Sequence, residues 1–388
     1  MPALTGYRRP GGGWGVRNHV LVLPSRSAAN AAAESIAEGL GGAVAVTHEW
    51  VGHPDDPDTE LVTRTLVGFA SNPNVAAVLL VAVTGEDRAL AERIAAAGGM
   101  PVRVVTMADH GGTPGTVEAG RPVAAGLVAD ASGLEREPMP WSGLAVGLEC
   151  GGSDALSGIT ANPALGLASD WLVAQGATTM LSEVPELVGA EEILAARAID
   201  AQVARRMVQV VHDFERSVEA LGVDIRGAQP TPGNIEGGLT TIEEKSLGAA
   251  KKAGNAPLTG VIGFAEAPGD PGLYVMDTPG HDIEQMVGLV AGGCNVIAFT
   301  TGRGTPTGSP IAPCLKISTN TAIFERMAGD IDLDAGRILD GTHTLASMGE
   351  QIRDAIVATA NGALTASERR GNHEFAIRRT HYPERLVT

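Results

Sequence analysis

Positive charge is scarce in this chain: 28 Lys and Arg face 45 Asp and Glu, a formal net charge of −17. Duplex binding needs clustered cations against phosphate, so this balance argues against a nucleic-acid partner. Aromatic residues make up only 3%, which removes the stacking faces that single strands require. Cysteine is limited to Cys150, Cys294 and Cys314, an odd and sparse set that implies no disulfide framework and a cytoplasmic setting. No uninterrupted apolar run reaches the ~20 residues of a membrane span. The opening MPALTGYRRPGGGWGVRNH has no apolar signal core. Nucleotide fingerprints are missing too: GGGWG precedes the first strand, on the wrong side for a dinucleotide site, and no G-x-x-x-x-G-K-[ST] occurs. Neither G-x-S-x-G nor H-E-x-x-H is present.

What the chain does contain is apolar periodicity. Its 388 residues, 44% hydrophobic, are enough for two buried cores. Short apolar runs at residues 20–24, 43–47, 75–83 and 102–107 alternate with helical spacings at 28–40, 58–70 and 87–97. This is the pattern of a parallel sheet covered by helices. A polar, Pro-containing stretch near residues 130–141 precedes a second series, with strands at 144–150, 177–183, 261–265, 273–277 and 295–301. Helices are expected at 163–175, 282–291 and 320–328, with one long helical stretch over about 190–221, and the tail after Ser367 reads as peripheral. The fold class is therefore α/β: two domains with mainly parallel sheets, residues 1–135 (flavodoxin- or Rossmann-like) and 136–388.

Ligands in such folds sit beyond the carboxyl ends of the strands. Three strand ends of the second domain carry unusual residues: Cys150-Gly-Gly-Ser153-Asp154, Ser182-Glu183-Val-Pro-Glu186 and Thr300-Thr301-Gly-Arg303-Gly-Thr305. Arg303 suits forked binding of a carboxylate. Glu183, bracketed by apolar sequence, needs a cationic partner wherever it is buried. Each piece also has a plain structural reading. Cys150 serves equally as a small buried hydrophobe, Ser153 and Asp154 as a helix cap, and Arg303 as one half of a surface ion pair. The first domain offers Arg17-Asn18-His19, His48-Glu49 and His53 with Asp55 and Asp56, donors that suit a divalent transition ion, although the spacing matches no helical metal motif.

Longer strings carry a resemblance. GYRRP…GVRNHVLVLPS (6–25), LECGGSDALSGITANPALG (148–166), SEVPELVGAEEIL (182–194), GNIEGGLTTIEEKSLGA (233–249), PGLYVMDTPG (271–280) and FTTGRGTPTGSPIAPCLKISTN (299–320) lie in order along the chain. Together they resemble the large region of the altronate/galactarate dehydratase family, whose relatives include the large subunit of sulfolactate sulfo-lyase. The resemblance implies a lyase that dehydrates a sugar acid to a 2-keto-3-deoxy acid with Fe²⁺ or Mn²⁺. It also implies a small subunit completing the site, within a homo-oligomer. On it, Glu183, Cys150, Asp154, Arg303 and His19 are the candidate catalytic residues. Arg17, Ser153, Asn162, Asn234, Thr301 and Thr305 are the candidate substrate contacts, and His48 with Glu183 the candidate metal ligands. Sulfite elimination and a non-catalytic scaffold are the alternatives. The scaffold reading arises because family members often carry cysteines where this chain has Val51-Gly52-His53 and Thr84-Gly85-Glu86.

Overall fold

The computed structural model describes residues 3–53 and 55–381. Its strands are, in chain order, β1 (Leu4–Arg8), β2 (Trp14–Gly15), β3 (His19–Pro24), β4 (Ala43–Ala45), β5 (Val75–Ala82), β6 (Val102–Thr106) and β7 (Glu137–Met139). They continue as β8 (Ala145–Gly151), β9 (Thr178–Leu181), β10 (Leu258–Ile262), β11 (Leu273–Met276), β12 (Val296–Thr301), β13 (Cys314–Ser318) and β14 (Leu333–Asp334). β3 to β6 form a parallel sheet ordered β4-β3-β5-β6, and β8 to β14 a seven-stranded parallel sheet ordered β10-β11-β9-β8-β12-β13-β14. All eight residues of β5 are buried, as its unbroken apolar run requires with helices on both faces.

In the larger sheet, strand order runs one way from β8 through β9 and the other way from β12 through β13, so the β8–β12 boundary is a topological switch point. Cys150 is in register there with Thr300, and Gly151 with Thr301. The two parallel sheets share apolar packing: Leu21 and Val78 belong to the same buried cluster as Ile297 and Phe299. Helix 59–70 lies against helix 282–291, and Asn72 donates from Nδ2 to the carbonyls of Val290 (2.7 Å) and Cys294 (2.9 Å).

Several elements differ from the sequence expectation. A small antiparallel sheet, β2-β1-β7, ties residue 4 to residue 139. A 20-residue helix spans Thr113–Ser132 despite Pro122 inside it, burying Thr116, Gly120, Ala124, Leu127 and Ala131. The stretch at 190–221 divides into helices Glu191–Ala195 and Ala201–Glu219, the second started by Asp200 accepting from the Gln202 and Val203 amides. The tail is not peripheral. Phe375 packs edge-on against Phe69 at 4.8 Å, Ile377 is buried, and Thr380 and His381 donate backbone N–H groups to Asp58. The aromatic and the aliphatic residue find apolar partners between the sheets, and that burial draws in the charged residues around them.

Candidate active site

The end of β8 delivers the thiol of Cys150 into a largely buried ionic cluster. Its Sγ lies within donating distance of both carboxylate oxygens of Glu183 (3.4 Å each) and of Glu186 Oε2 (3.3 Å). The ammonium of Lys252 donates to Cys150 Sγ at 2.8 Å and pairs with Glu183. Lys245 pairs with Glu186 at 2.8 Å and also donates to Gln229 Oε1 and Asn234 Oδ1. Cys150, Glu183 and Lys252 are each at most 3% exposed. In such a setting every charge needs a partner, and two ammonium groups facing two carboxylates supply that balance.

Backbone conformation sets this cluster. Glu183 follows β9 with φ 73° and ψ 53°, a left-handed conformation that costs a residue with a β-carbon about 1–3 kcal/mol. It is held by its own amide donating to Thr278 Oγ1 (2.6 Å) and by its carbonyl accepting from the Glu186 amide (2.8 Å). Lys252 sits in a tight turn, Lys251–Ala253, at the end of helix Ile242–Ala250. The turn closes on Gly254 (φ 61°), where a β-carbon would overlap the Gly166 carbonyl and Asp170.

The electrostatics follow from burial. Burial raises the carboxyl of Glu183 to about 8 against the pull of Lys252, so it takes up a proton readily near neutrality. Burial, then the nearby charges of Glu183 and Glu186, raise the Cys150 thiol well above its ordinary value. Glu149, wholly buried behind Glu183 and accepting from Ser182 Oγ, is also raised by burial and by Glu183 and Asp282. For Lys252 burial works downward, but Cys150, Glu183 and Glu186 outweigh it and the ammonium is raised. Glu186 is lowered because Lys245 and Lys252 overcome its burial.

Beside the cluster lies a cavity of about 200 Å³ whose lining includes Ser153, Asp154, Asn162 and Lys245. Ser153 Oγ is 3.6 Å from Cys150 Sγ, and Asn234 Nδ2 donates to the Ser153 carbonyl. The backbone N–H of Arg303 donates to the Gly152 carbonyl, which sets Arg303 at the mouth of the switch point. Its exposed guanidinium lies over Gly233, where a β-carbon would overlap it, and it forms no ion pair among the described residues. Asp154 acts as a tie: it accepts from Ser157, Thr319 and Asn320 and joins the loop after β8 to the one after β13. Asn162 is likewise engaged, with Thr300 and the Gly248 carbonyl, and Thr301 and Thr305 accept within their own loop.

The structure gives the first-domain residues other partners. All five guanidinium donors of Arg17 are used, on Glu368 and the carbonyls of Val16, Thr359 and Ala363, so none is left for a substrate. His19 lines a separate cavity of about 540 Å³ with Glu34, Ser309, Glu368 and His373. Burial and Arg17 lower its imidazole from 6.5 to about 4, with Glu368 opposing and Arg9 adding, so at neutral pH it is the uncharged imidazole. His48 is buried with Nε2 3.0 Å from the Pro24 carbonyl, and it is not paired with Glu183. His53 is exposed. Among the described residues the one group with clustered donors is Cys150, Glu183 and Glu186, whose ligand atoms lie within 4.8 Å of one another. A thiol and two carboxylates suit a divalent transition ion, and the Lys252 ammonium among them marks the place as one built for a cation.

The His19 shift has a measurable consequence. Between pH 6.5 and 4 the unfolded chain takes up a proton that the folded imidazole refuses, so stability falls as pH drops through that window. The loss expected from this group is about 2–3 kcal/mol. Urea midpoints measured from pH 7 to 4 should decline less steeply in His19→Gln, and parallel slopes for the two proteins would refute the assignment.

Comparison with known proteins gives the family. Residues 6–132 match the family described as D-galactarate dehydratase/altronate hydrolase, second domain, and residues 141–382 match D-galactarate/altronate dehydratase, C-terminal. The chain is 38% identical to the (2R)-sulfolactate sulfo-lyase subunit beta of Chromohalobacter salexigens, over 96% of both chains. It is 37% identical to the altronate dehydratase of Escherichia coli, over 96% of this chain and 76% of that one. Against the galactarate dehydratase (L-threo-forming) of Escherichia coli it is 35% identical, over 82% and 62%.

Proposed function

Because the chain belongs to the D-galactarate/altronate dehydratase family of lyases, we propose that it removes water from a polyhydroxylated 2-hydroxy acid of the altronate or galactarate kind. The product is a 2-keto-3-deoxy acid. The observation that carries this reading is a carboxylate with proton affinity near neutrality, Glu183, enclosed with two lysines at a strand-end switch point beside an uncommitted arginine. Elimination next to a carboxylate needs a base for a weakly acidic C–H bond and a means of holding the charge that develops. Among the described residues Oε1 of Glu183 meets the Cys150 thiol alone, whereas Oε2 also takes Lys252 and the Cys150 amide, so Oε1 is the oxygen available to receive the α-proton. Arg303 binds the substrate carboxylate equally in the ground and transition states, so it acts on affinity rather than on the chemical step. Lys245, the more accessible of the two lysines, faces the leaving group.

The family resemblance implies a divalent ion, Fe²⁺ or Mn²⁺. Cys150, Glu183 and Glu186 would hold it, and bound there it would supply Lewis-acid polarisation of the substrate oxygens. A sulfo-lyase is the second reading, favoured by end-to-end similarity to a protein that is itself a sulfo-lyase subunit. That similarity also supports a co-acting small subunit that completes the site. The same proton abstraction serves both chemistries; only the leaving group changes. A panel of aldonic, aldaric and sulfo-substituted 2-hydroxy acids, followed for 2-keto acid and for sulfite with Fe²⁺ present, separates them. Absence of both products with and without the small subunit would overturn the proposal. In the same assay Arg303→Lys should raise KM roughly 10- to 100-fold with kcat little changed, since a point charge replaces a fork worth about 1.5–3 kcal/mol. An unchanged KM would remove Arg303 from substrate binding.

A further inference from the structure

A lysine with no exposed surface is rare, and Lys252 is one: its side chain is wholly enclosed. The turn that carries it packs against β8, β9 and helix Ala161–Ala174, and Gly254 locks the turn in place. The ammonium touches Cys150 Sγ at 2.8 Å and Glu183 Oε2, two of the three donors clustered within 4.8 Å. Lys245 differs. It takes one oxygen of Glu186, and its other two contacts, Gln229 and Asn234, lie outside that donor set. A divalent ion would bind these sulfur and oxygen atoms at about 2.0–2.3 Å. On the Cys150–Glu183 edge that places it within a few ångströms of the Lys252 nitrogen, in buried surroundings that screen two like charges weakly.

We propose that the ammonium of Lys252 is the resident cation of this cluster, and that a divalent ion reaches Cys150, Glu183 and Glu186 only by displacing it. The inference rests on the metal reading above and deepens it: loading is an exchange of one cation for another, and Lys252 is a positioning residue that sets how tightly the ion is held. Removing the ammonium while keeping the stem, in Lys252→Met, should leave the donors without their internal competitor.

The test is Mn²⁺ titration of the full-length chain by calorimetry, comparing wild type, Lys252→Met and the pair Cys150→Ala/Lys252→Met. The expected result is at least tenfold tighter Mn²⁺ binding in Lys252→Met, with the gain lost when Cys150 is also removed. Equal or weaker binding in Lys252→Met, or no binding in either protein, overturns the inference. Should Lys252→Met fail to fold, the wild type itself decides. The slowly exchanging ammonium resonance of Lys252, followed by ¹⁵N NMR, should shift and lose protection on addition of stoichiometric Zn²⁺. A resonance untouched by Zn²⁺ overturns the exchange. Turnover is read separately: a chain that eliminates water while Lys252 stays in place keeps the proposed function and loses only this inference. A chain without turnover whose Lys252 is displaced does the reverse.

Discussion

Glu183→Gln should lower turnover on the chain's sugar-acid substrate by roughly 10²- to 10⁴-fold, the range expected when a general base is removed. Glutamine keeps the volume and an oxygen that can accept from Lys252 and from the Cys150 amide, so the local geometry survives. What it cannot do is take a proton. The strained backbone at residue 183 reinforces the point, because a left-handed glutamate is held there only by Thr278 and the turn to Glu186, and its carboxylate is thereby aimed at Cys150. The measurement is the rate of 2-keto acid formation in wild type and variant, with near-ultraviolet circular dichroism to confirm that both are folded. A variant that retains more than about a tenth of the rate contradicts the role.

Lys252→Met has the largest expected effect on stability. Breaking a buried ion pair from one side typically costs about 3–5 kcal/mol, because the remaining charge has no solvent to turn to. Glu183 and Lys252 are 1% and 0% exposed, and because Glu183 protonates once Lys252 is gone, the cost falls at the lower end of that range. The double variant Glu183→Gln/Lys252→Met removes both charges and should recover most of that loss, since an apolar replacement of a buried pair is often close to neutral. A urea-denaturation cycle over the four proteins measures the coupling. Additive effects in that cycle would mean that the two side chains do not form the pair described.

The legible and illegible parts of this molecule divide by physical cause. Runs such as residues 75–83 announce buried strands because period and composition agree, and strand ends announce sites because ligands collect there. Cys150 and Glu183 could be placed at adjacent strand ends on those grounds, and the structure brings them into contact. Lys245 and Lys252 could not be assigned as cluster members, because EEKSLGAAKKAG has the composition of a solvated helix. One signal was available: a spacing of seven puts both lysines on one helical face, and an acidic strand end needs a cation. Glu186 stood in a noted string without a role, since nothing local distinguishes it from Glu191 or Glu192. Arg17 and His19 resemble site residues because they stand where a loop enters a buried strand, within a string that carries the family resemblance. Their neighbours Thr359, Ala363 and Glu368 come from more than 340 positions away, and no local pattern reports such partners. The tail misleads for the same reason, as Phe375 and Ile377 find their apolar partners only once the sheets have assembled.

The most direct test of the central claim, that Glu183 takes the proton beside the substrate carboxylate, is deuterium exchange at that carbon. A 2-hydroxy acid lacking a β-leaving group, incubated with the enzyme in D₂O and followed by proton NMR, reports abstraction without elimination. Wild type should wash out the α-hydrogen and Glu183→Gln should leave it in place. Exchange at equal rates in the two proteins would contradict the account.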